Sequence, residues 1–215
     1  FLGGDLLPSG LAAAAGGGEG FVRSFLAPAC RALRRELGGD YPPVHLIPGN
    51  DDGREEEPDF LAGQEEGLWH WCHMRRLPFG GYTVYGYACI PPSPFRLKDW
   101  ERYDVSRYVD PGCIHPVQGI FTREPSRYAV EYGTIAAELE ELTGEEDLGR
   151  AILLCHAPPY RTDLDRAALD GQQIDHVPLD VHIGSIALRR LVERRQPRVT
   201  LHGHVHESAR LTGAW

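Results

Sequence analysis

Residues of metal-ligand type stand directly after short apolar runs in this chain. Asp5 follows Phe1-Leu2-Gly3-Gly4, and Asn50 follows Val44-His45-Leu46-Ile47-Pro48-Gly49. His156 follows Ala151-Ile152-Leu153-Leu154-Cys155, while His204 and His206 close the stretch Leu201-His202-Gly203-His204-Val205-His206. One carboxylate, one amide and three imidazoles make a mixed oxygen and nitrogen set, which suits manganese, iron or zinc better than a thiolate-selective metal. A carboxylate can bridge two cations, and two cations close together can clamp an in-line displacement at phosphorus. Glycines beside the ligands let the backbone turn sharply where the groups must converge. Taken singly, Gly-Asp and Gly-Asn-Asp are ordinary turn sequences; their order and their repeated place after strands make the case for chemistry.

Such a set converges only if the runs are neighbouring strands, because ligands in open α/β sheets gather outside the strands' carboxyl ends. Val44–Ile47, Tyr82–Ile90, Ala151–Cys155 and Arg198–Leu201 read as strands. The continuous apolar run 151–155 suits a sheet covered on both faces. Residues 19–37 carry apolar positions at helical spacing and predict an amphipathic helix kinked or divided at Pro28. Residues 134–142 also read as helix, and Ser185 reads as the N-cap of a helix stopped by Pro197. Residues 91–130, rich in Pro, Tyr, Arg and Asp without a clean period, read as a surface excursion from a single domain spanning 1–215. Strand–helix alternation makes the fold class α/β.

The chain has 215 residues, enough for one sizeable core, and a net charge of −9. The negative charge disfavours non-specific nucleic-acid binding, yet leaves a phosphorylated substrate open, since bound cations dominate a local field. Five cysteines with no close pairing fit reduced thiols in a cytoplasmic protein. No apolar run approaches a membrane span. Phe1-Leu2-Gly3-Gly4-Asp5 reads as the end of a buried strand, so the expectation is a fragment whose first strand is absent, and Gly213-Ala214-Trp215 also stops abruptly.

In order, Gly4-Asp5, Gly49-Asn50-Asp51-Asp52, His156 and Gly203-His204-Val205-His206 resemble the calcineurin-like metallophosphoesterase superfamily over nearly the whole chain. His156-Ala157-Pro158-Pro159-Tyr160, Leu164-Asp165, Gly184-Ser185 and His204-Val205-His206-Glu207-Ser208 are similar to a prokaryotic branch of it. The resemblance implies a four-layer α/β/β/α sandwich of two mixed sheets and hydrolysis of a phosphodiester or phosphomonoester at a site of two divalent cations. It implies Asp5 as the bridging carboxylate, Asn50, His156 and His204 as ligands of the second metal, and His206 as a ligand of the first. The family's opening Asp-X-His motif is absent from this chain, which leaves the first metal site incomplete. Asp51 stands where many members have a substrate-contacting His. It is a candidate general acid or phosphate-side contact if its pKa is raised; the alternative is that it hydrogen-bonds the loop or a neighbour of the ligands. The partner implied is a small phosphorylated molecule, with nucleotides among the candidates. The superfamily fold also serves as a non-catalytic interaction scaffold; the absent motif and Asp51 lean toward that alternative, and the five retained ligand types lean back toward the enzyme, since a scaffold has no physical need to keep them together.

Other residues attract attention for their type. His70 and His73 lie among Trp69, Trp71 and Cys72, and read as core or surface packing rather than a metal site. His115 and His176 read as solvated, and His182 as a neighbour of the site rather than a ligand. Arg96, Lys98, Arg102 and Arg107, interleaved with Trp100, Tyr103 and Tyr108, read either as a substrate-selecting lid or as surface packing, the second being favoured. Glu55-Glu56-Glu57 reads as a solvated face and Cys155 as core.

Overall fold

The computed structural model describes residues 1–8 and 20–214. In chain order, β1 (Leu2–Gly3) is followed by a π-helical turn Val22–Leu26 and α1 (Ala27–Leu37), then β2 (His45–Ile47) and α2 (Glu57–Glu65). Next come β3 (His70–Trp71), β4 (Arg75–Phe79), β5 (Tyr82–Tyr87), α3 (Arg127–Tyr132) and α4 (Ile135–Thr143). The chain continues with β6 (Ala151–Cys155), the hairpin β7 (Gln173–Ile174) and β8 (Val177–Pro178), α5 (Ile186–Arg195), β9 (Val199–His202) and α6 (Ser208–Thr212). The fold is mixed α/β, as the alternation predicts. The expected helix 19–37 changes from a π-helical turn, Val22–Leu26, to α1 just before Pro28, with helical backbone kept through Leu26 and Ala27. Residue 19 lies outside the described residues, as does Trp215.

Two sheets carry the fold. β1, β2 and β3 are parallel, in that order; the second sheet runs β4-β5-β6-β9, with β4 antiparallel to β5 and the other three parallel. One apolar core joins them, drawing Leu46, Ile47 and Trp71 from the first sheet and Val84, Tyr87 and Leu153 from the second. At the margin of that core the Phe79 ring lies 5.4 Å from Phe1 and 5.3 Å from His45, edge-on to the latter. Phe60 on α2 packs its ring on Trp69 and Trp71, covering the first sheet. On the other side Leu139 and Leu142 of α4, with Leu188 and Leu191 of α5, are buried in the same core.

Parallel register is what brings the ligand-type residues together. Gly3 pairs with Ile47, so Gly4-Asp5 and Pro48–Asn50 leave the first sheet at one end. Tyr87, Cys155 and His202 lie side by side, so His156 and Gly203-His204 leave the second sheet together. The two ends meet at Gly3, where an added Cβ would lie 3.8 Å from Gly203 N and from the His202 carbonyl carbon.

The segment 91–130 departs from the expected surface excursion in its first third. Trp100 and Tyr103 are fully buried, and so is the ion pair in which Lys98 Nζ donates to Glu101 Oε2 at 2.6 Å. Lys98 also donates to the Ser93 carbonyl, and Glu101 accepts from Ser93 N and Oγ, so a polar sequence is buried with its charges paired. Arg102 is buried against Glu138. These cations are therefore neither lid nor surface; from Asp104 onward the segment returns to the surface, where Arg107 lies beside the Tyr103 and Tyr132 rings. The expected acidic face is also corrected: Glu56 is buried and accepts from Gly20 N. All five cysteines are free thiols, Cys155 among the buried ones. Among the described residues no helix is long and apolar enough to cross a membrane.

Candidate metal centre

His156 is the pivot of the site. It follows β6, its amide donates to the Tyr87 carbonyl, and it is wholly buried. Its Nδ1 lies 2.6 Å from the Gly3 carbonyl oxygen, which can only accept, so Nδ1 carries the proton. In the neutral ring Nε2 then presents a lone pair. That lone pair faces Asn50 Oδ1 at 3.1 Å and Asp5 Oδ2 at 3.3 Å. Three electron-rich atoms thus converge, and in this tautomer none of them offers the others a proton.

His204 joins from β9, its ring centroid 5.2 Å from that of His156. Asp5, His156 and His204 are the one group of His, Cys, Asp or Glu among the described residues whose ligand atoms lie within 4.8 Å of one another. Burial, with His156 nearby, holds His204 down to about 3, so the imidazole is neutral and free to coordinate near neutral pH. Asp5 is held below the usual carboxylate range: burial raises it, but His156, whenever its ring carries a second proton, and the Asp51 amide outweigh that. The donor set is three nitrogen or carboxylate ligands plus an amide oxygen, which fits a borderline divalent cation.

Close approach of the backbones makes this possible. A Cβ on Gly49 would lie 2.6 Å from His156 Cε1 and closer still to Asp5 Oδ1 and the Asp5 amide. Gly4 has φ +105°, and a Cβ there would run into His156 Nδ1. Asp5 and His204 themselves adopt left-handed conformations, with φ of 52° and 71°. Such strain in non-glycine residues clusters at functional sites.

The remaining expected residues take different places. His206 is largely exposed, with Nε2 3.7 Å from Asp5 Oδ2. The expected first metal therefore rests, among the described residues, on Asp5 and His206 alone. Asp51 serves the loop: its amide donates to Asp5 Oδ1 at 3.0 Å, and its carboxylate accepts from Asn50 Nδ2 at 3.1 Å. Partial burial and the neighbouring charge of Asp5 push its carboxyl up. Its neighbour Asp52 is a positioning residue that the sequence did not single out for this role. It is buried and accepts from the amides of Leu6, Leu7 and Gly49, tying the turn after β1 to the turn after β2. Burial pushes it up to about 6 despite those three donors. Two adjacent aspartates after a strand were the available signal; which of them turns inward is set by the backbone.

Among the described residues His70 and His73 belong to no metal-like group: Trp69, Trp71 and Cys72 are core, and His73 stands edge-on to Trp100 while accepting from Ala88 N. His115 touches the Tyr103 hydroxyl, and His176 lies exposed at the tip of the β7–β8 hairpin. His182 pairs with Asp165 and is not a member of the cluster.

No family model and no curated protein matches the chain. Among solved structures, one crystal structure aligns with 91% of this chain at 18% identity and a TM-score of 0.45. The chain spans 65% of that protein's length.

Proposed function

We propose that the protein is a metal-dependent phosphoesterase of the calcineurin-like type, and that its two sheets with their helices are the α/β/β/α sandwich of that superfamily. The observation that supports it most is the convergence of His156 Nε2, Asp5 Oδ2 and Asn50 Oδ1 while His156 Nδ1 is committed to the Gly3 carbonyl. An acceptor-rich cluster of this kind is stabilised by a cation, and Asp5, His156, His204 and Asn50 are the residues that would hold it. His206 extends the set beyond Asp5 toward solvent. A divalent cation there, manganese, iron or zinc, supplies a Lewis acid that lowers the pKa of water and offsets charge on phosphoryl oxygens. The protein's own part is to hold the donors before the substrate arrives. Gly3 fixes the tautomer of His156, the Asp51 amide orients Asp5, and Asp52 ties the two turns together. The substrate in this reading is a small phosphate ester, approaching from the exposed His206 side.

The test is Mn²⁺ binding by calorimetry and turnover of bis(4-nitrophenyl) phosphate, for the wild type and for His156→Ala and His204→Ala. Tight binding with turnover, both lost in the variants, is expected. Unchanged binding and turnover in the variants would overturn the reading. Binding without turnover across several esters would favour the non-catalytic scaffold.

A further inference from the structure

A second histidine–carboxylate pair, His182 and Asp165, lies outside the metal cluster and takes no part in it. Asp165, fully buried in the loop after β6, accepts at Oδ2 from the amides of Arg161 at 2.8 Å and Gly184 at 3.1 Å. Its Oδ1 accepts from Thr162 N at 2.9 Å and from His182 Nδ1 at 2.7 Å. The Tyr160 ring stands edge-on to the imidazole, and the Tyr160 hydroxyl is held by Asp180. The ring of His182 is thus fixed in orientation and tautomer from one side, with Nδ1 protonated toward Asp165. Nε2 has no hydrogen-bond partner among the described residues, and the side chain is 27% exposed, so this nitrogen is open to take a proton from solvent before it gives one up. A histidine kept only for packing has no need of one nitrogen anchored to a buried carboxylate and the other presented to solvent. Orienting one nitrogen while leaving the other open is how a carboxylate prepares an imidazole for proton transfer.

The pair also sits at the end of the molecule where the reaction is placed. Ser185 N donates to the carbonyl of Pro158, two residues past His156, so the 182–185 turn is docked on the His156 segment. The loop bearing Asp165 is bolted to the segment just after His206: Ser208 Oγ donates to the Asp163 carbonyl, and Glu207 Oε1 accepts from Ala168 N at 3.1 Å. The dyad is therefore held between the two segments that carry His156 and His206.

We propose that His182, positioned by Asp165, is the proton donor to the leaving oxygen of the phosphate ester; this rests on the phosphoesterase reading above. Water oxygen bonds to phosphorus as the phosphorus–oxygen bond to the leaving group breaks. The electron pair of that bond stays on the leaving oxygen, which takes the proton from Nε2. Nε2 regains a proton from solvent, and the proton shed by the attacking water passes to solvent. Asp165 is a positioning residue, acting only through the ring.

The experiment uses His182→Asn, whose amide still offers Asp165 a donor where Nδ1 stood but carries nothing at Nε2; His182→Gln serves if that variant fails to fold. Turnover of the 4-nitrophenyl and phenyl esters of the same phosphate is compared with wild type in Mn²⁺. The 4-nitrophenolate leaves readily without a proton and phenolate does not. The expected result is a fall of about 100-fold for the phenyl ester, with the 4-nitrophenyl ester within about threefold. The variant's melting temperature and Mn²⁺-induced stabilisation stay as in wild type. Equal losses on both esters, or none on either, would overturn the assignment of His182 while leaving the metal site standing. A wild-type protein inert toward both esters would overturn the phosphoesterase reading itself, and the proton donor with it.

Discussion

Gly49→Ala is the sharpest probe of the claim that the site depends on backbones in close approach. Gly49 has no positive φ, so alanine suffers no conformational strain there. In open space such a change would stabilise the protein by about 0.4–1 kcal/mol, because alanine restricts the unfolded chain. The structure predicts the opposite sign. The new methyl would lie 2.6 Å from His156 Cε1, about 0.8 Å inside the 3.4 Å of ordinary contact, and closer still to Asp5. One obstructing atom is the Asp5 backbone nitrogen, and the His156 ring is pinned through Gly3, so neither can swing aside freely. Overpacking of this kind costs about 1–3 kcal/mol. At the middle of that range, a chain of this size loses about 4–8 °C in melting temperature. The same displacement moves two ligands, and a misplacement near 1 Å costs on the order of 100-fold where geometry governs function. The assay is thermal unfolding with and without Mn²⁺, followed by calorimetric titration. The metal-free variant should melt lower, and most of the Mn²⁺-induced rise should vanish. A variant that melts at or above wild type and keeps its Mn²⁺ response would refute the argument.

Two further outcomes follow from the same geometry. Asp5→Asn keeps an acceptor for the Asp51 amide and suits the left-handed backbone at position 5, so metal-free stability should stay within about 1 kcal/mol of wild type while Mn²⁺ affinity falls at least tenfold; a calorimetric affinity equal to wild type would exclude Asp5 as a ligand. His73 makes stability depend on pH: burial, with Arg54 and Arg102 nearby, lowers it from 6.5 to about 3. The unfolded chain therefore takes up a proton in that window that the folded ring refuses, so this contribution is complete above pH 6.5 and is lost as pH falls toward 3. Denaturant unfolding at a series of pH values should show a shallower acid loss for His73→Gln than for wild type, and identical slopes would contradict it.

What the sequence made legible was the set of strand ends. β2, β6 and β9 are apolar or β-branched runs closed by ligand-type residues, and parallel register follows from their alternation with helices. β4 was hidden because Arg75, Arg76 and Pro78 suit an edge strand that needs few apolar positions. α2 was hidden for a similar reason: its start signals, Pro58 and the acids Glu57 and Asp59, lack a strong apolar stripe behind them. The buried stretch around Lys98 and Glu101 reads as surface because charge is read as exposure, and the pairing that permits burial exists only in three dimensions. In the site, the ligand types were visible one by one. The roles of Asp52 and of the Gly3 carbonyl were not, since both act through backbone groups that carry no residue-specific signal.

The strain in the site argues that its arrangement is held for a purpose other than stability. Asp5 and His204 each occupy a conformation that costs a non-glycine residue about 1–3 kcal/mol. Glycine at either position would relieve the backbone and remove the ligand. Left-handed backbone immediately after β1 and β9 is what turns each side chain back over the end of its strand, toward His156, instead of onward into the loop. The compensation is visible in Asp52, whose carboxylate gathers three amides from the two turns, and in the Gly3 carbonyl, which fixes His156. Both of these partners stabilise the geometry without entering it. A turn selected for stability would place glycine at 5 and 204 and dispense with the buried carboxylate at 52. Retaining strained ligands and their buttress together is the pattern expected when the cluster is preorganised for a cation, since the attraction of the donors for that ion is what offsets their mutual repulsion.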